Sequence, residues 1–460
     1  MRTETIKNDF SQGAVWKVIL SQAVPLTIAH AVQVLYNVVD RIYLGHLPGS
    51  DSLALTGVGL IFPIVSLITA FCNLFATGGT PLFSIARGAG QKERAEKLLN
   101  NTFSALAATA LVMMVTGYLF RKPILYAFGA SDDTYVYADA YLTIYLAGTL
   151  FSMITTGMNG FINAQGFPKV GMATIILGAV LNVVLDPIFI FVLDLGVRGA
   201  AIATVISQVV SCLWVLRFLS GPKALLGLRK EHMAPDFKLL KEIVTLGIPG
   251  FIMAGTNCLV QVTCNATLKL YGSDLYIGIM TVINSVREIF SLAVTGLAHG
   301  AQPVIGFNYG AKRYDRVRSG IKFMAICSAC FTAVCWVLVL TFPKTLLALF
   351  TNDMELVETG VLAMQIYFFG FVFMAGQQAG QSTFVALGKS KHAIFFSLLR
   401  KAVIVFPLTL WLPTVFGLGV NGVFLAEPIS NLIGGMACFI TMVLTVWPML
   451  KREEGALQKS

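Results

Sequence analysis

Twelve apolar segments, each about 20 residues or longer, dominate this sequence of 460 residues. A hydrocarbon core of about 30 Å needs roughly 20 apolar residues in a helix to cross it, so each segment is a candidate transmembrane helix. The predicted spans cover 16–44, 52–79, 99–120, 136–163, 169–193, 198–219, 243–270, 275–303, 320–342, 357–386, 392–416 and 420–448. The sequence therefore predicts an all-α polytopic membrane protein.

Composition agrees with this class and excludes others. Hydrophobic residues make up 56% of the chain and charged residues only 12%, whereas soluble domains are about one quarter charged. The eight cysteines fall inside apolar segments and lack the paired spacing of a secreted disulfide framework. Cys327 and Cys330 form a CxxC without a nearby histidine or second pair, which favours helix packing over metal or redox chemistry.

Lysine and arginine are distributed unequally between the two sides of the predicted spans. One side carries 26 of them, including four assigned after the tenth span, while the other carries six and Arg287 is left inside a span. By the positive-inside rule the richer side is cytoplasmic, so both termini are predicted to lie inside the plasma or inner membrane. The net charge of +10 is then a topology signal, and no nucleic-acid partner is expected.

The two halves of the chain repeat one another at an offset of about 222 residues. Matched pairs include Pro25 with Pro249, Pro81 with Pro303, Tyr145 with Tyr367, Gly166 with Gly388 and Lys169 with Lys391. Because six spans is an even number, both halves run in the same direction as parallel repeats. The predicted domains are an N-lobe over 1–219, a cytoplasmic linker over 220–242, a C-lobe over 243–450 and a cytoplasmic tail over 451–460.

Two six-helix lobes around a central cleft suit a transporter that works by alternating access. The sequence has no filter-like repeat typical of channels and no Walker A, GxSxG or HExxH motif, so neither a channel nor an enzyme is favoured. Without a nucleotide site, transport is expected to draw on an ion gradient.

Several motifs resemble the multidrug and toxic compound extrusion (MATE) transporters over nearly the whole chain. They are LYNVVDRIYLG, PLFSIARGAG, NAQGFPK, LNVVLDPIFIF, GVRGAAIATVISQ and, in the second half, AQPVIGFNYGAKR. The resemblance implies a secondary antiporter that exports organic cations or other amphipathic drugs in exchange for Na⁺ or H⁺. It implies no cofactor beyond the coupling cation, and V-shaped opening between the lobes.

Acidic side chains inside the N-lobe spans suggest where the cation binds. A rise of about 1.5 Å per residue places Asp40, Asp186 and Thr204 at similar depths in the outer part of the bilayer. Asn182 and Asp186 share a helix face, as do Asn37 and Asp40, and their oxygens suit a hard cation. The resemblance implies that Asp40, Asn182, Asp186 and Thr204 form the coupling site, but the choice between Na⁺ and H⁺ stays open.

Each of these residues also has a possible structural role that does not involve ion binding. Asp40 could be an interface anchor next to Arg41, and Asp186 could mark a helix end before Pro187. Thr204 alone would be an ordinary packing residue between membrane helices.

The C-lobe lacks this acid pair and carries other charges. Cys264 or Asn265 stands at the repeat position of Asp40, whereas Arg287, Glu288 and Glu427 occur in C-lobe spans. These charges could compensate one another, for example as an Arg287 to Glu427 pair, or face the cleft and handle substrate or protons.

The cleft itself is predicted to have aromatic and methionine walls suited to lipophilic cations. Its candidate residues are Tyr36, Tyr145, Met158, Met253, Met280, Phe369, Arg287, Glu288 and Glu427. A lipid or lipid-linked oligosaccharide flippase is the alternative function, but its pyrophosphate head group would call for more deep cations than Arg287 alone. Amphipathic or cationic small molecules and the bilayer are the expected partners of a monomer.

Overall fold

Residues 9–45, 57–128, 130–351 and 353–457 are described by the computed structural model, and they fold almost entirely as helices. In the N-terminal half the helices are α1 Val15–Gly45, α2 Phe62–Gly88, α3 Lys92–Ala127, α4 Asp132–Ala164, α5 Pro168–Pro187 and α6 Gly196–Leu219. In the C-terminal half they are α7 Phe237–Tyr271, α8 Asp274–Gly310, α9 Tyr314–Thr341, α10 Pro343–Ala348, α11 Met354–Phe368, α12 Met374–Ala386, α13 Ser390–Leu398, α14 Phe406–Thr414, α15 Val420–Ser430 and α16 Met436–Leu457.

Short helical segments of other geometry interrupt several spans. The π-helical segments Ile188–Val192, Leu399–Val405 and Asn431–Gly435 follow α5, α13 and α15, and the 3₁₀ segments are Lys230–His232 and Phe371–Phe373. A π segment inserts an extra residue into a helical turn and is frequent at functional sites. Here Asp186 lies just before the first π segment, while Arg400 and Lys401 lie within the second.

Twelve stretches of the described chain are long and apolar enough to cross a bilayer, which confirms the predicted number and class of spans. Several helices extend beyond the predicted apolar bounds. α3 begins at Lys92 rather than near residue 99, and a Glu93 to Lys97 salt bridge of 2.7 Å supports its polar first turns. The second span begins at Gly57 and ends at Gly88, and its predicted start at 52–56 lies outside the described residues.

The described chain forms two compact units. The first, the N-terminal unit, comprises Asp9 and the described residues of 28–254, and the second, the C-terminal unit, comprises those of 10–27 and 255–457. α1 and α7 therefore each contribute one part to each unit. The predicted lobe boundaries stay a prediction, and these units differ from them at the exchanged parts of α1 and α7.

Each unit has its own apolar interior. In the first unit Phe83, Leu106 and Phe161 are fully buried in one continuous core. The second unit has two cores, one around Phe384 and the other around Phe368. Because lipid is as apolar as these side chains, dense van der Waals packing rather than removal of apolar surface from water holds the membrane-spanning part of each unit together.

Equivalent turns in the two halves share an unusual backbone conformation. Gly166 has φ +89° and its repeat partner Gly388 has φ +68°, while Gly196 and Gly419 both have φ +53°. Glycine adopts this left-handed region without the steric cost that a Cβ atom would bring. The predicted repeat therefore extends from sequence to backbone geometry.

Close approach of α2 and α7 depends on two glycines of the first unit. A Cβ atom added to Gly78 would overlap the carbonyl oxygen of Ile243, and one added to Gly247 would overlap that of Leu74. In both cases the obstacle is backbone and cannot move aside as a flexible side chain would. The two helices are in backbone contact because neither glycine carries a side chain.

We expect Gly247→Ala to lower the thermal unfolding temperature of the purified protein. Overpacking of this kind costs about 1–3 kcal/mol, which exceeds the roughly 0.5–1 kcal/mol that alanine gains over glycine in a helix. Gly255→Ala on the same helix is the matched control, because nothing lies within 4 Å of its added Cβ. Equal unfolding temperatures for the two variants would contradict the close packing of α2 against α7.

The linker before α7 is bound firmly to the first unit through two buried asparagines of α3. Asn100 Nδ2 donates to the Gly227 carbonyl at 3.2 Å, and its Oδ1 accepts from the Arg229 backbone N–H at 2.9 Å. Asn101 Oδ1 accepts from the Asp236 backbone N–H at 2.7 Å. These bonds satisfy linker backbone groups that regular secondary structure leaves open.

We expect Asn100→Ala to make the linker more sensitive to trypsin, which cleaves after basic residues such as Arg229 and Lys230. The variant leaves the Arg229 N–H and the Gly227 carbonyl without their partner, at a cost of about 1–3 kcal/mol for the docked state. Cleavage rates followed by gel electrophoresis test this, with Gln91→Ala as control because Gln91 is exposed and makes no capping bond. Matching rates for both variants would show that the linker is held by other contacts.

Candidate functional site

The N-terminal unit contains a polar cluster within its apolar interior, built on α5 and α6. Asp186 in the last turn of α5 has 0% of its surface exposed, and Asn182 and Thr204 are also buried. Asn182 and Asp186 are four residues apart, so α5 presents both on one face, as the spacing predicts. Buried polar groups of this kind need partners, because water cannot satisfy them there.

Asn182 connects Asp186 to Thr204. The Asn182 amide lies 3.2 Å from Thr204 Oγ1. In the amide orientation that satisfies both of its ends, the nitrogen donates to Asp186 Oδ2 at 2.7 Å, and the oxygen accepts from Thr204 Oγ1 at 3.2 Å. Asn182 therefore presents its N–H group, and not its oxygen, to the carboxyl group.

Asp40 on α1 meets Asp186 in this cluster. The two carboxyl groups are close enough to form a side-chain hydrogen bond and to interact electrostatically. An ionised carboxylate has only acceptors, so two carboxyl groups can share a hydrogen bond only when one of them carries a proton. Without that proton, or a cation in its place, the two negative charges repel at short range.

Three tyrosines lie at or next to the acid pair. Tyr36 and Tyr141 interact electrostatically with both Asp40 and Asp186, Tyr145 interacts with these two tyrosines, and Tyr141 hydrogen-bonds to Thr204. The Tyr141 and Tyr145 rings stack with centroids 5.9 Å apart, and Tyr145 hydrogen-bonds to Gln208. Their hydroxyl groups supply further polar contacts inside an otherwise apolar environment.

Sequence reasoning named Tyr36 and Tyr145 as cleft residues but missed Tyr141. The spacing of four between Tyr141 and Tyr145, which places both on one face of α4, is the signal that could have found it. The side chain of Asn37, predicted beside Asp40, lies outside the described residues. Assignment of these residues to ion coupling stays a prediction.

The C-terminal unit holds a buried ion-pair network that joins the π segment after α13 to α15. Arg400 Nη2 lies 2.6 Å from Glu427 Oε1, and Lys401 Nζ lies 3.4 Å from each Glu427 carboxylate oxygen. The exposed fractions of Arg400, Lys401 and Glu427 are only 8%, 4% and 8%. Arg400 and Lys401 are therefore the direct ion-pair partners of Glu427. Arg287, the partner suggested by the sequence, interacts with Glu427 only electrostatically.

This network also corrects the count of basic residues. Arg400 and Lys401 were two of the four assigned to the cytoplasmic side after the tenth predicted span, and the structure buries them inside a candidate span. Removing both from the 26 leaves 24 against six, so the charge bias keeps its sign.

A cavity of about 120 Å³ lies beside the network within the C-terminal unit. Arg287, Lys401 and Glu427 contribute to its lining, and Met280 from α8 is part of its wall. Arg287 interacts electrostatically with both Glu427 and Glu288, but Glu288 itself is exposed. The cavity thus combines three of the predicted cleft residues with Lys401, which sequence reasoning did not assign to a site.

The remaining predicted cleft residues have different surroundings. Met158 is fully buried in the apolar core of the N-terminal unit. Met253 on α7 is half-buried, whereas Phe369 has 60% of its surface exposed. The placement of these side chains in a substrate cleft stays a prediction.

Twelve candidate spans among the described residues, together with an acid pair in one unit and a charged cavity in the other, indicate a polytopic membrane transporter. The sequence matches the MatE family model over residues 25–188 and again over 249–411. The chain belongs to this family, that of the MATE transporters, and is a transporter rather than an enzyme. One match in each half agrees with the predicted repeat.

Similar proteins extend over almost the whole chain. The multidrug export protein MepA of Staphylococcus haemolyticus strain JCSC1435 is 26% identical over 450 residues, which cover 96% of each protein. A crystal structure of MATE in the bent conformation has a TM-score of 0.89 at 21% identity and 98% coverage of both chains. An outward-facing multidrug resistance MATE family transporter of the MOP superfamily has a TM-score of 0.88 at 22% identity, covering 95% of this chain and 97% of that one. These likenesses confirm the predicted fold of a multi-pass cell-membrane protein.

Proposed function

We propose that this protein is a multidrug antiporter that exports organic cations or other amphipathic compounds by alternating access. The direct contact between Asp40 and Asp186 is the observation that carries the proposal. Burying an acid pair inside a membrane protein is energetically costly, so its presence there favours a role in ion movement. The relationship to a protein named for multidrug export supports the substrate class.

We propose H⁺ as the coupling ion. In its preferred orientation Asn182 directs an N–H at Asp186 and uses its oxygen for Thr204. A Na⁺ ion at Asp186 would gain that oxygen as a ligand only if the amide turned over, whereas a proton shared between two carboxyl groups needs no further ligand.

Coupling follows from the change in charge of this site when a proton binds or leaves. With a proton bound, the pair is closer to neutral and tolerates a low-dielectric environment; once the proton leaves, the repelling carboxylates favour a conformation that separates or hydrates them. We further propose that both termini are cytoplasmic and that the protein functions as a monomer without nucleic acid.

The test is efflux of a fluorescent organic cation from proteoliposomes containing the purified protein, with a pH gradient and a Na⁺ gradient imposed separately. We expect the pH gradient alone to drive transport and an ionophore that collapses it to stop transport. Transport driven only by Na⁺ would refute proton coupling, and no transport under either gradient would refute the antiporter.

A further inference from the structure

The cavity of the C-terminal unit has an imbalance of charge. Among the described residues, three cations, Arg287, Arg400 and Lys401, lie at or beside the cavity together with the single buried carboxylate of Glu427. Burial of a charge without an equal counter-charge is costly in a membrane protein. A network built only for stability would need fewer cations or more acids.

The two cations that line the cavity, Arg287 and Lys401, retain donors that the network does not use. Arg287 Nε is buried and has no hydrogen-bond partner among the described residues. Lys401 has three donors, and its contacts with Glu427 are long, at 3.4 Å to each oxygen. Arg400 makes a short bond of 2.6 Å to Glu427, so that it neutralises most of the carboxylate's charge. Its buried Nε also has no partner among the described residues, but Arg400 does not line the cavity.

Side-chain amides complete the lining. Asn257, Gln261 and Asn265 follow one another at intervals of four on α7, and Asn284 adds a fourth amide from α8. Amides can donate to an anion, and they do not repel it as further carboxylates would. The volume of about 120 Å³ suits a small polar group and not a whole amphipathic drug.

We propose that this cavity binds the anionic group, a carboxylate or a phosphate, of an amphipathic substrate, with Arg287 and Lys401 as the charged donors. Glu427 positions Lys401 and holds Arg400, and it does not itself contact the substrate. The inference rests on the proposed export function and narrows it: compounds that carry a negative group as well as a lipophilic body are preferred over their neutralised analogues.

The test compares a fluorescent rhodamine that has a free carboxylate with its methyl ester, which has the same ring system and lacks that charge. Equilibrium binding is measured by fluorescence anisotropy with the full-length protein in phosphatidylcholine nanodiscs, so that no ion gradient is involved. We expect the acid form to bind at least about tenfold more tightly than the ester, the scale of one charge-assisted bond. Inorganic phosphate should compete for the acid form.

The variants Arg287→Gln and Lys401→Gln should each bring the ratio of the two affinities close to one. Lys344→Gln is the control, because this exposed lysine lies on α10 of the same half, and it should keep the wild-type ratio. If a glutamine variant fails to fold, the wild-type ratio and the variant Arg287→Lys, which keeps the positive charge, still test the proposal. A ratio of one in the wild type, or an unchanged ratio in both glutamine variants, would overturn the proposal.

Two further experiments follow. One distinguishes a substrate site from a lipid site, and the other tests the anion site separately from the export function. If nanodiscs with phosphatidylglycerol remove the preference without any soluble anion, a lipid phosphate occupies the cavity, and the substrate part of the proposal is overturned. Gradient-driven export of the methyl ester tests the proposed function independently. Ester export with no acid preference would refute only the anion site, whereas absence of export for both forms would refute the antiporter.

Discussion

Asp186→Asn should abolish gradient-driven efflux and leave the protein folded. Asparagine has nearly the same shape as aspartate and can keep a contact with Asn182, but it can neither bind a transferable proton nor carry a negative charge. Because the substitution removes a fully buried ionisable group beside Asp40, thermal stability should stay equal or rise. Loss of function with retained stability is the signature of a residue kept for ion coupling.

The measurement is efflux of a fluorescent cation from proteoliposomes under a fixed pH gradient, together with the unfolding temperature of the same preparation. Asp194→Asn is the matched control: it lies eight positions further on, is exposed, and has φ +53°, a conformation that asparagine tolerates well. We expect the control to transport normally. Normal transport by both variants would show that Asp186 has no part in coupling.

The positions of the helices could be predicted from the sequence because the bilayer imposes a simple rule. An apolar segment long enough to cross has to satisfy its backbone internally, so it forms a helix. The rule gives no boundary beyond the hydrocarbon, and α3 therefore begins at Lys92, where a Glu93 to Lys97 pair continues the helix in polar sequence. The division of α1 and α7 between the two units could likewise not be predicted from a local sequence pattern.

The acid cluster was predictable in outline for a similar reason. Counting residues along helices placed Asp40, Asp186 and Thr204 at similar depths, and the structure brings their side chains together. Depth says nothing about the direction of an amide, and the orientation of Asn182 emerges only from its partners.

The C-terminal network was missed because its pairing is not local. Arg400 and Lys401 stand close to the start of a predicted span, where basic residues ordinarily belong to a cytoplasmic loop. Their partner Glu427 lies on another helix, 27 and 26 positions further along the chain. Only the packing of the two elements shows that the three charges are buried together. The pattern of a single sequence gives no sign of such a contact.

Glu427→Gln should destabilise the protein strongly. The change leaves Arg400 and Lys401 buried without the carboxylate that both of them contact, and breaking a buried ion pair from one side costs about 3–5 kcal/mol. We expect a marked fall in the unfolding temperature in detergent and a smaller yield of monodisperse protein. Glu288→Gln is the control, since Glu288 is exposed in the same half, and it should unfold as the wild type does.

Replacing all three charged residues distinguishes the contribution of the network to stability from its contribution to ligand binding. In the triple variant Arg400→Met, Lys401→Met, Glu427→Leu the charges of these three residues are removed together, so stability should recover toward the wild-type value, although Arg287 loses its interaction with Glu427. Lys401 would nevertheless be absent, and the preference for a free carboxylate should not return. Recovery of stability without that preference would mean that the charges are retained for the ligand rather than for the fold, whereas equal unfolding temperatures for Glu427→Gln and Glu288→Gln would contradict the buried network itself.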